Sequence, residues 1–274
     1  RGDLLQHPAA PCRGPPRSRG VILNIAAYLF VAIDDADALA VRLRERAEAD
    51  ALRGSVLVTP EGVNLFLAGD ADVLRRFLAW LREDPRFASL QAKESWSETV
   101  PFARLKVKRK EEIIAFRREH ASPLDTGERA PAVAPATLAR WIEQGHDDDG
   151  KRLVLLDTRN REEFGFGSFA GALTLPIDNF TDLPDALAPH RGALADATVV
   201  SFCTGGIRCE KVALWLRHDG MDNLLQLDGG ILGYFEAVGG VGYDGRCFVF
   251  DERVALDPHL QPLVDGMATK DAAA

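Results

Sequence analysis

The sequence predicts a two-domain α/β protein, in which a split βαβ domain precedes a domain built on a parallel sheet. Three observations support this prediction. The chain has 274 residues, a length that usually makes two domains. Its first part alternates strand-like and helix-like apolar patterns in the order β-α-β-β-α-β. Farther along, short runs that are apolar at every position indicate strands buried on both faces, as in a parallel sheet.

The composition narrows the class of protein. Hydrophobic residues make up 46% of the chain and charged residues 27%, which suits ordinary buried cores. The net charge of −8 argues against a wholly basic nucleic-acid coat, but not against a local basic patch. No apolar run approaches the roughly 20 residues of a membrane span. The four cysteines form no Cys-x-x-Cys pair, so we expect neither a disulfide scaffold nor a zinc site, and a reducing cytoplasm fits best.

Changes in composition divide the chain into five segments. The N-terminal segment is rich in proline and arginine and has no apolar period, which predicts disorder. A later stretch without a period carries several turn formers, which predicts a linker. The predicted boundaries are a disordered extension at 1–20, the split βαβ domain at 21–120, the linker at 121–130, the parallel-sheet domain at 131–245 and a C-terminal extension at 246–274.

The elements of the first domain follow from the hydrophobic pattern. Pro60-Glu61-Gly62 predicts a turn between two of its strands. The element order is that of a ferredoxin-like domain. The predicted elements are a strand over 21–30, a helix over 34–51, strands over 54–59 and 63–68, a helix over 71–82 and a last strand within 90–107.

A basic segment closes the first domain. Residues 104–118 contain seven lysines or arginines against two glutamates. In an acidic protein this asymmetry suggests a local phosphate-binding face. A solvated edge strand kept soluble by basic side chains explains the composition equally well. The candidate nucleic-acid-binding residues are Arg104, Lys106, Lys108, Arg109 and Lys110.

The second domain is predicted to open with a helix over 135–144. A continuous apolar strand over 152–159 then ends in Asp157-Thr158-Arg159. Functional residues in parallel sheets lie at the carboxyl ends of strands, so we expect Asp157 and Arg159 to line one pocket with Cys203. Further strands are predicted over 171–176 and 224–231, with a Gly-Gly turn into a final helix.

The most informative stretch, Thr198 to Trp215, reads as a strand, a tight loop and a helix. Successive N–H groups of a Gly-rich loop that enters a helix form an anion cradle, which favours the thiolate of a cysteine. The alternative is a buried structural cysteine, which leaves the Gly-Gly pair and the arginine unexplained. The candidate catalytic residue is Cys203, and the cradle consists of Thr204, Gly205, Gly206, Ile207 and Arg208.

This loop and its flanking motifs resemble the rhodanese family, whose catalytic cysteine can carry a persulfide. The matching stretches are Asp157–Phe164, Gly171-Ala172, the Cys203 loop and Leu227–Ile231, with Ser168 where rhodaneses often have histidine. Longer strings are more specific. With the ferredoxin-like domain in front, the chain after residue 20 resembles the bacterial tRNA uridine hydroxylase family through Arg104–Lys108, Cys203–Lys211 and Cys247–Val254.

The resemblance implies that the protein forms 5-hydroxyuridine at the tRNA wobble position, with molecular oxygen as co-substrate. The first domain and its basic segment would hold the anticodon arm, and Cys203 would act on a splayed uridine. Arg208 and the loop N–H groups would stabilise negative charge. No metal or flavin signature is evident, and we expect no membrane and no obligate protein partner. Some relatives carry extra C-terminal cysteines with metal-ligand spacing, where this chain has only Cys247.

The sequence alone is compatible with more than one reaction and more than one function. As a hypothesis, the Cys203 thiolate adds to C6 of uracil, which makes C5 electron-rich enough to react with oxygen. A persulfide on Cys203 is the competing chemistry. The alternative function is a thiosulfate-type sulfurtransferase, which leaves the basic first domain without a role. A third interpretation is a non-catalytic binding module with a structural Cys203.

Overall fold

A computed structural model describes residues 22–263, which form two α/β domains followed by a short β-rich segment. The predicted disordered extension at 1–20 lies outside the described residues, as does the end of the C-terminal extension from 264 onward. Within 22–263, every helix is too short or too polar to cross a membrane.

The first domain is a five-stranded sheet with two helices. Its strands lie in the order β4-β1-β3-β2-β5, and the first four form the antiparallel arrangement of a ferredoxin-like fold. The elements are β1 (Ile22–Phe30), α1 (Ala36–Ala49), β2 (Arg53–Thr59), β3 (Gly62–Asp70), α2 (Ala71–Arg82), β4 (Ala92–Ser97) and β5 (Leu105–Arg109).

Helix α2 illustrates how the sequence fixes these elements. The Asp70 side chain accepts hydrogen bonds from the backbone N–H groups of Asp72 and Val73, which caps the helix at its first residue. The helix then presents one apolar face to the sheet, formed by Leu74, Phe77, Leu78 and Leu81.

The end of the first domain differs from the prediction of one last strand within 90–107. Two strands occur there, because β4 pairs with β1 and β5 then crosses the sheet to pair in parallel with β2. Strand β5 therefore lies at the edge opposite β4. Its central Val107 is buried while Lys106 and Lys108 are exposed, which is the alternation of a half-buried edge strand.

The second domain is a parallel sheet in the order β6-β11-β10-β7-β9, with helices around it. Smaller antiparallel pairs join β8 to β12 and β13 to β14. The elements from the linker onward are α3 (Pro123–Thr126), β6 (Ala132–Val133), α4 (Pro135–Gln144), β7 (Leu153–Asp157), α5 (Arg161–Phe164), β8 (Gly167–Phe169), β9 (Leu173–Thr174), α6 (Leu183–Leu187), α7 (Arg191–Leu194), β10 (Thr198–Phe202), α8 (Ile207–His218), β11 (Leu224–Leu227), α9 (Gly230–Val238), β12 (Tyr243–Gly245), β13 (Cys247–Phe248) and β14 (Ala255–Leu256).

Strand β10 is the centre of this sheet, and all five of its residues are buried. It pairs with β7 on one side and β11 on the other, so the carboxyl ends of the three strands meet at one edge. This is the edge at which the sequence placed the functional residues.

The linker predicted at 121–130 packs against the second domain. Ala121 and Ala130 are buried in its core, as is Phe116, whose ring stacks on Phe180 with centroids 4.6 Å apart. The boundary between the cores therefore falls after β5 and before Phe116, earlier than residue 120. Apolar side chains in this stretch are too sparse to form a period, so the sequence pattern gives no sign of this packing.

Buried charge joins the two domains. Lys211 on α8 is only 2% exposed, and its ammonium group lies 2.7 Å from Glu61 and 2.8 Å from Glu112. Farther along the chain, Arg253 donates to Ser95 Oγ of β4 at 2.7 Å. These contacts hold the first-domain sheet against the edge of the second domain that carries the cysteine loop.

Candidate active site

Cys203 follows β10 directly and lies at the base of a short loop that ends where α8 begins at Ile207. Its side chain is 1% exposed, and its sulfur accepts a hydrogen bond of 3.1 Å from the backbone N–H of Gly206. Gly206 has φ of 99°, a conformation that side chains disfavour. The loop therefore turns its N–H inward on the thiol, as the Gly-Gly motif predicts.

A second glycine pair supports the loop from below. Gly230 begins α9 with φ of 62°, and a β-carbon there would lie 2.6 Å from the carbonyl oxygen of Cys203. The next two N–H groups, of Ile231 and Leu232, donate to the carbonyls of Cys203 and Thr204 at 2.9 and 3.0 Å. Only glycine permits so close an approach, so this motif fixes the position of the loop.

The surroundings of Cys203 favour its thiolate. Burial opposes ionisation, but the neighbouring Cys209 thiol, the charge of Arg208 and the N–H groups of Arg208 and Gly206 outweigh it and lower the pKa of Cys203. Burial and the adjacent Cys203 raise the pKa of Cys209 well above its ordinary value. The surroundings of this pair thus favour ionisation of Cys203 and protonation of Cys209.

Arg208 is committed to a buried ion pair. Its two terminal nitrogens donate to the two oxygens of Glu163 at 2.6 and 2.5 Å. Burial favours the neutral carboxyl group, but the hydrogen bonds and charge of Arg208 outweigh it and keep the pKa of Glu163 below its usual value. Arg208 therefore supports the thiolate from within the fold, while much of its charge is offset.

Asp157 and Arg159 lie at the predicted sheet edge beside the end of β10, but their side chains are buried beneath the loop. Both side chains are fully buried and form a bidentate pair, with a shortest distance of 2.6 Å. Arg159 also donates to the carbonyl of Gly167 and to the hydroxyl of Tyr243. Because their charges satisfy each other and the neighbouring backbone, the two residues brace the sheet edge beneath the cysteine loop and do not line the cavity.

A cavity of about 950 Å³ opens above the loop, and both domains form its walls. Cys203, Thr204, Gly205, Ile207 and Arg208 contribute from the second domain. The first domain contributes residues of β1, β3 and β4, and the chain after β5 adds Ile114–Arg117 in part. The buried Cys203 side chain thus faces a space large enough for a nucleobase, which both domains enclose.

Comparison with known proteins shows which family has this two-domain architecture. Residues 22–113 match the UPF0176 acylphosphatase like domain, and residues 135–237 match the rhodanese-like domain. The tRNA uridine(34) hydroxylase of Xanthomonas campestris pv. campestris (strain 8004) is 67% identical over 252 residues, which are 92% of this chain and 99% of that protein. The chain belongs to the tRNA uridine(34) hydroxylase family.

Two further relatives agree. The tRNA uridine(34) hydroxylase of Xanthomonas euvesicatoria pv. vesicatoria (strain 85-10) is 66% identical over 91% of this chain and 100% of its own length. That of Xylella fastidiosa (strain M23) is 60% identical over 89% and 95%, respectively. The recognised family and the predicted two-domain α/β fold are thereby confirmed.

The basic residues predicted to bind RNA are not gathered around the thiol. Strand β5 lies at the far edge of the first-domain sheet, outside the cavity lining. The side chains there are exposed, and Arg109 pairs with Glu111. Strand β5 leads directly into the stretch that supplies Arg117 to the cavity. The basic residues are Arg104, Lys106, Lys108, Arg109 and Lys110.

Three cationic side chains at the cavity escaped the sequence analysis. Lys93 on β4 and the exposed Arg117 and Arg129 line the cavity. Lys93 and Arg129 are isolated basic residues in the sequence, and Arg117 belongs to the basic segment 104–118 but was not predicted as a site residue. Sheet pairing and the path of the linker bring the three together. Tyr28 on β1 lines the cavity too, and nothing in its apolar strand distinguished it.

Two polar residues that follow the loop prove to be structural. Glu210 is fully buried and accepts hydrogen bonds from the backbone N–H of Ala130 at 2.9 Å and from Gln226 at 2.6 Å. Lys211 forms the interdomain ion pairs described above. In residues 22–263, no three His, Cys, Asp or Glu side chains are grouped to hold a metal ion.

Proposed function

We propose that this protein hydroxylates C5 of the wobble uridine of tRNA, with Cys203 as the nucleophile and molecular oxygen as co-substrate. The carrying observation is the thiol of Cys203, which has a lowered pKa and lies at the base of a cavity closed by the first domain. The names of the relatives support the substrate. A uridine must leave its stack to enter such a cavity, which anticodon-loop bases can do at modest cost.

The residues suggest the following sequence of events. The Cys203 thiolate forms a bond to C6 of uracil, and the electron pair of the C5–C6 double bond moves onto C5 and O4. C5 then bonds to one oxygen atom of O2, and the second oxygen leaves as water. To become water, that second oxygen atom takes up two protons and two electrons, which a thiol reductant supplies. Loss of the C5 hydrogen as a proton expels Cys203 and restores the double bond.

The path of the RNA follows from the placement of charge. The exposed basic side chains of β5 would contact the phosphates of the anticodon arm, in keeping with their position outside the cavity. Lys93, Arg117 and Arg129 would contact phosphates next to the extruded nucleotide, because they line the cavity itself. The anticodon arm would therefore contact β5 and the chain that follows it, with the extruded nucleotide at the thiol.

A sulfurtransferase activity is less well supported. Persulfide transfer to a small acceptor needs the loop alone, whereas here a second domain covers the loop and adds cationic side chains to the cavity. The family relatives are also named for hydroxylation.

The experiment uses the full chain, tRNA from a strain that lacks the modification, oxygen-18 gas and dithiothreitol. Mass spectrometry of the nucleosides should detect 5-hydroxyuridine with the label in its hydroxyl group. Cys203→Ser should form none while still binding tRNA, because a hydroxyl is a much weaker nucleophile. Cys247→Ser, at a buried cysteine outside the cavity, is the matched control. Label derived from water, or full activity of Cys203→Ser, would contradict the proposal, and thiosulfate turnover would favour the sulfurtransferase.

A further inference from the structure

The hydroxyl group of Tyr28 reaches across the domain interface to the cysteine loop. A β-carbon on Gly206 would lie 2.9 Å from this hydroxyl oxygen, so the phenol abuts the residue whose N–H holds the Cys203 sulfur. The ring lines the cavity and packs edge-on against Phe30, with centroids 6.1 Å apart. Among the hydrogen bonds of residues 22–263, none involves the Tyr28 hydroxyl, although it lies beside a network in which nearly every polar group is paired.

The proposed reaction leaves one requirement unfilled. When a thiolate adds to C6 of uracil, negative charge develops on O4, and a fixed donor at that oxygen lowers the barrier. The side-chain donors nearest the thiol, and the N–H group closest to its sulfur, are already engaged. The N–H of Gly206 donates to the sulfur, and both terminal nitrogens of Arg208 donate to Glu163. Thr204 is directed to Glu163 and to the carbonyl of Phe248.

We propose that Tyr28 is a catalytic residue whose hydroxyl donates a hydrogen bond to O4 of the extruded uridine, and so stabilises the enolate formed when Cys203 adds to C6. This inference rests on the proposed function. It assigns to the first domain a direct part in the chemistry, because β1 delivers the donor to a nucleophile held by the second domain. Neither domain alone would contain the complete site.

The surroundings keep this phenol protonated. Burial, followed by the negative charges of Glu210 and Cys203, raises the pKa of Tyr28 above its ordinary value. The hydroxyl therefore remains a neutral donor beside a thiolate. A neutral donor suits the reaction, because it strengthens its bond to O4 only as charge develops there, and it does not neutralise the nucleophile.

The test compares Tyr28→Phe with the wild type and with Tyr234→Phe. Both variants lose one hydroxyl and keep the ring, and the Tyr234 hydroxyl donates to the carbonyl of Val241 outside the cavity. Under saturating tRNA, Tyr28→Phe should lower kcat for 5-hydroxyuridine by about 100-fold, the loss typical of one oxyanion donor. The KM for tRNA and the alkylation rate of Cys203 should change less than threefold, and Tyr234→Phe should retain wild-type turnover.

A second measurement isolates the addition step. Without oxygen, reversible addition of Cys203 to C6 lets C5 take a proton from water, so tRNA carrying tritium at C5 of uridine should release it into solvent. Wild type should release tritium, Cys203→Ser should not, and Tyr28→Phe should release it about 100-fold more slowly. Normal release and turnover in Tyr28→Phe would overturn the role of Tyr28 alone. Absence of both 5-hydroxyuridine and tritium release in wild type would overturn the proposed function and this inference with it.

Discussion

Separate removal of Arg208 and Glu163 distinguishes the effect of their charges on the pKa of Cys203 from their effect on the stability of the fold. The two side chains are 6% and 1% exposed and share two hydrogen bonds. At such burial the full cost of breaking a buried pair applies, about 3–5 kcal/mol of unfolding free energy. Arg208→Met should incur this cost because Glu163 is left unpaired, and Glu163→Gln should cost a similar amount because Arg208 is left unpaired.

The double variant separates the two effects. With both charges gone, no buried ion remains unpaired, so Arg208→Met with Glu163→Gln should recover at least half of the larger single loss. The thiol should not recover. The charge of Arg208 lowers the pKa of Cys203, so this pKa should be higher than wild type both in Arg208→Met and in the double variant. It should fall further in Glu163→Gln.

The pH dependence gives an independent check on the same variants. In Arg208→Met, only the N–H of Asn160 and the charge of Arg159 still oppose burial, so we expect the pKa of Glu163 to rise above its unfolded value. A raised pKa means that stability is retained at low pH and lost as pH rises through the folded pKa. The penalty of this variant should therefore be larger at pH 7.5 than at pH 5. Urea unfolding measures stability and iodoacetamide labelling measures the thiol, and a loss below about 1 kcal/mol in Arg208→Met would refute the buried-pair argument.

Three further predictions follow from the interface and the cysteines. Because the pKa of Cys203 is lowered, its alkylation rate should be nearly constant from pH 7 to 9. Cys247, whose pKa burial raises to about 12, should stay unlabelled. An alkylation rate of Cys203 that increases with pH as it does for a free thiol would contradict this. Lys211→Met should lower unfolding free energy by about 3 kcal/mol, the lower end for a buried pair since its partners are partly exposed, with the exposed Lys151→Met as an inert control in urea unfolding. Alanine at the four exposed basic positions that end the first domain, Lys106, Lys108, Arg109 and Lys110, should weaken tRNA binding and flatten its salt dependence. Alanine at Lys151 should leave both unchanged. If filter-binding titrations give the same salt slope for the fourfold variant and the wild type, the segment serves solubility and not tRNA binding.

Local patterns were sufficient to predict the cysteine loop. Cys203 and its glycines lie within four residues of one another, and their geometry follows from strand, turn and helix rules that act over that distance. The ferredoxin-like order was predictable for the same reason. An edge strand was one of two interpretations of the basic segment, and β5 is such a strand. Its partner was not predictable, because β2 lies about fifty positions earlier in the chain and the alternation of exposed and buried residues does not identify a partner.

The composite part of the site was not predictable in this way. Tyr28, Lys93 and Arg129 come from three distant segments, and the pairing of β1 with β4, the path of the linker and the contact between the domains bring them to one cavity. The partner of Arg208 was hidden for the same reason, because Glu163 lies 45 residues earlier in the chain. From the charge pattern alone, both residues would be placed on the solvated surface. Only the fold buries the ion pair.

Helix α8, which follows the loop, links the cysteine loop to the linker and to the first domain. Three successive residues at the start of α8 point to three different parts of the molecule. Cys209 lies next to the nucleophile, Glu210 holds the linker at Ala130, and Lys211 holds the first domain through Glu61 and Glu112. Any shift of this helix would therefore move the thiol, the linker and the domain interface together. A single element thus fixes the distance between Cys203 and the β1 strand that carries Tyr28, and the proposed addition of the thiolate to one face of a base would depend on that distance.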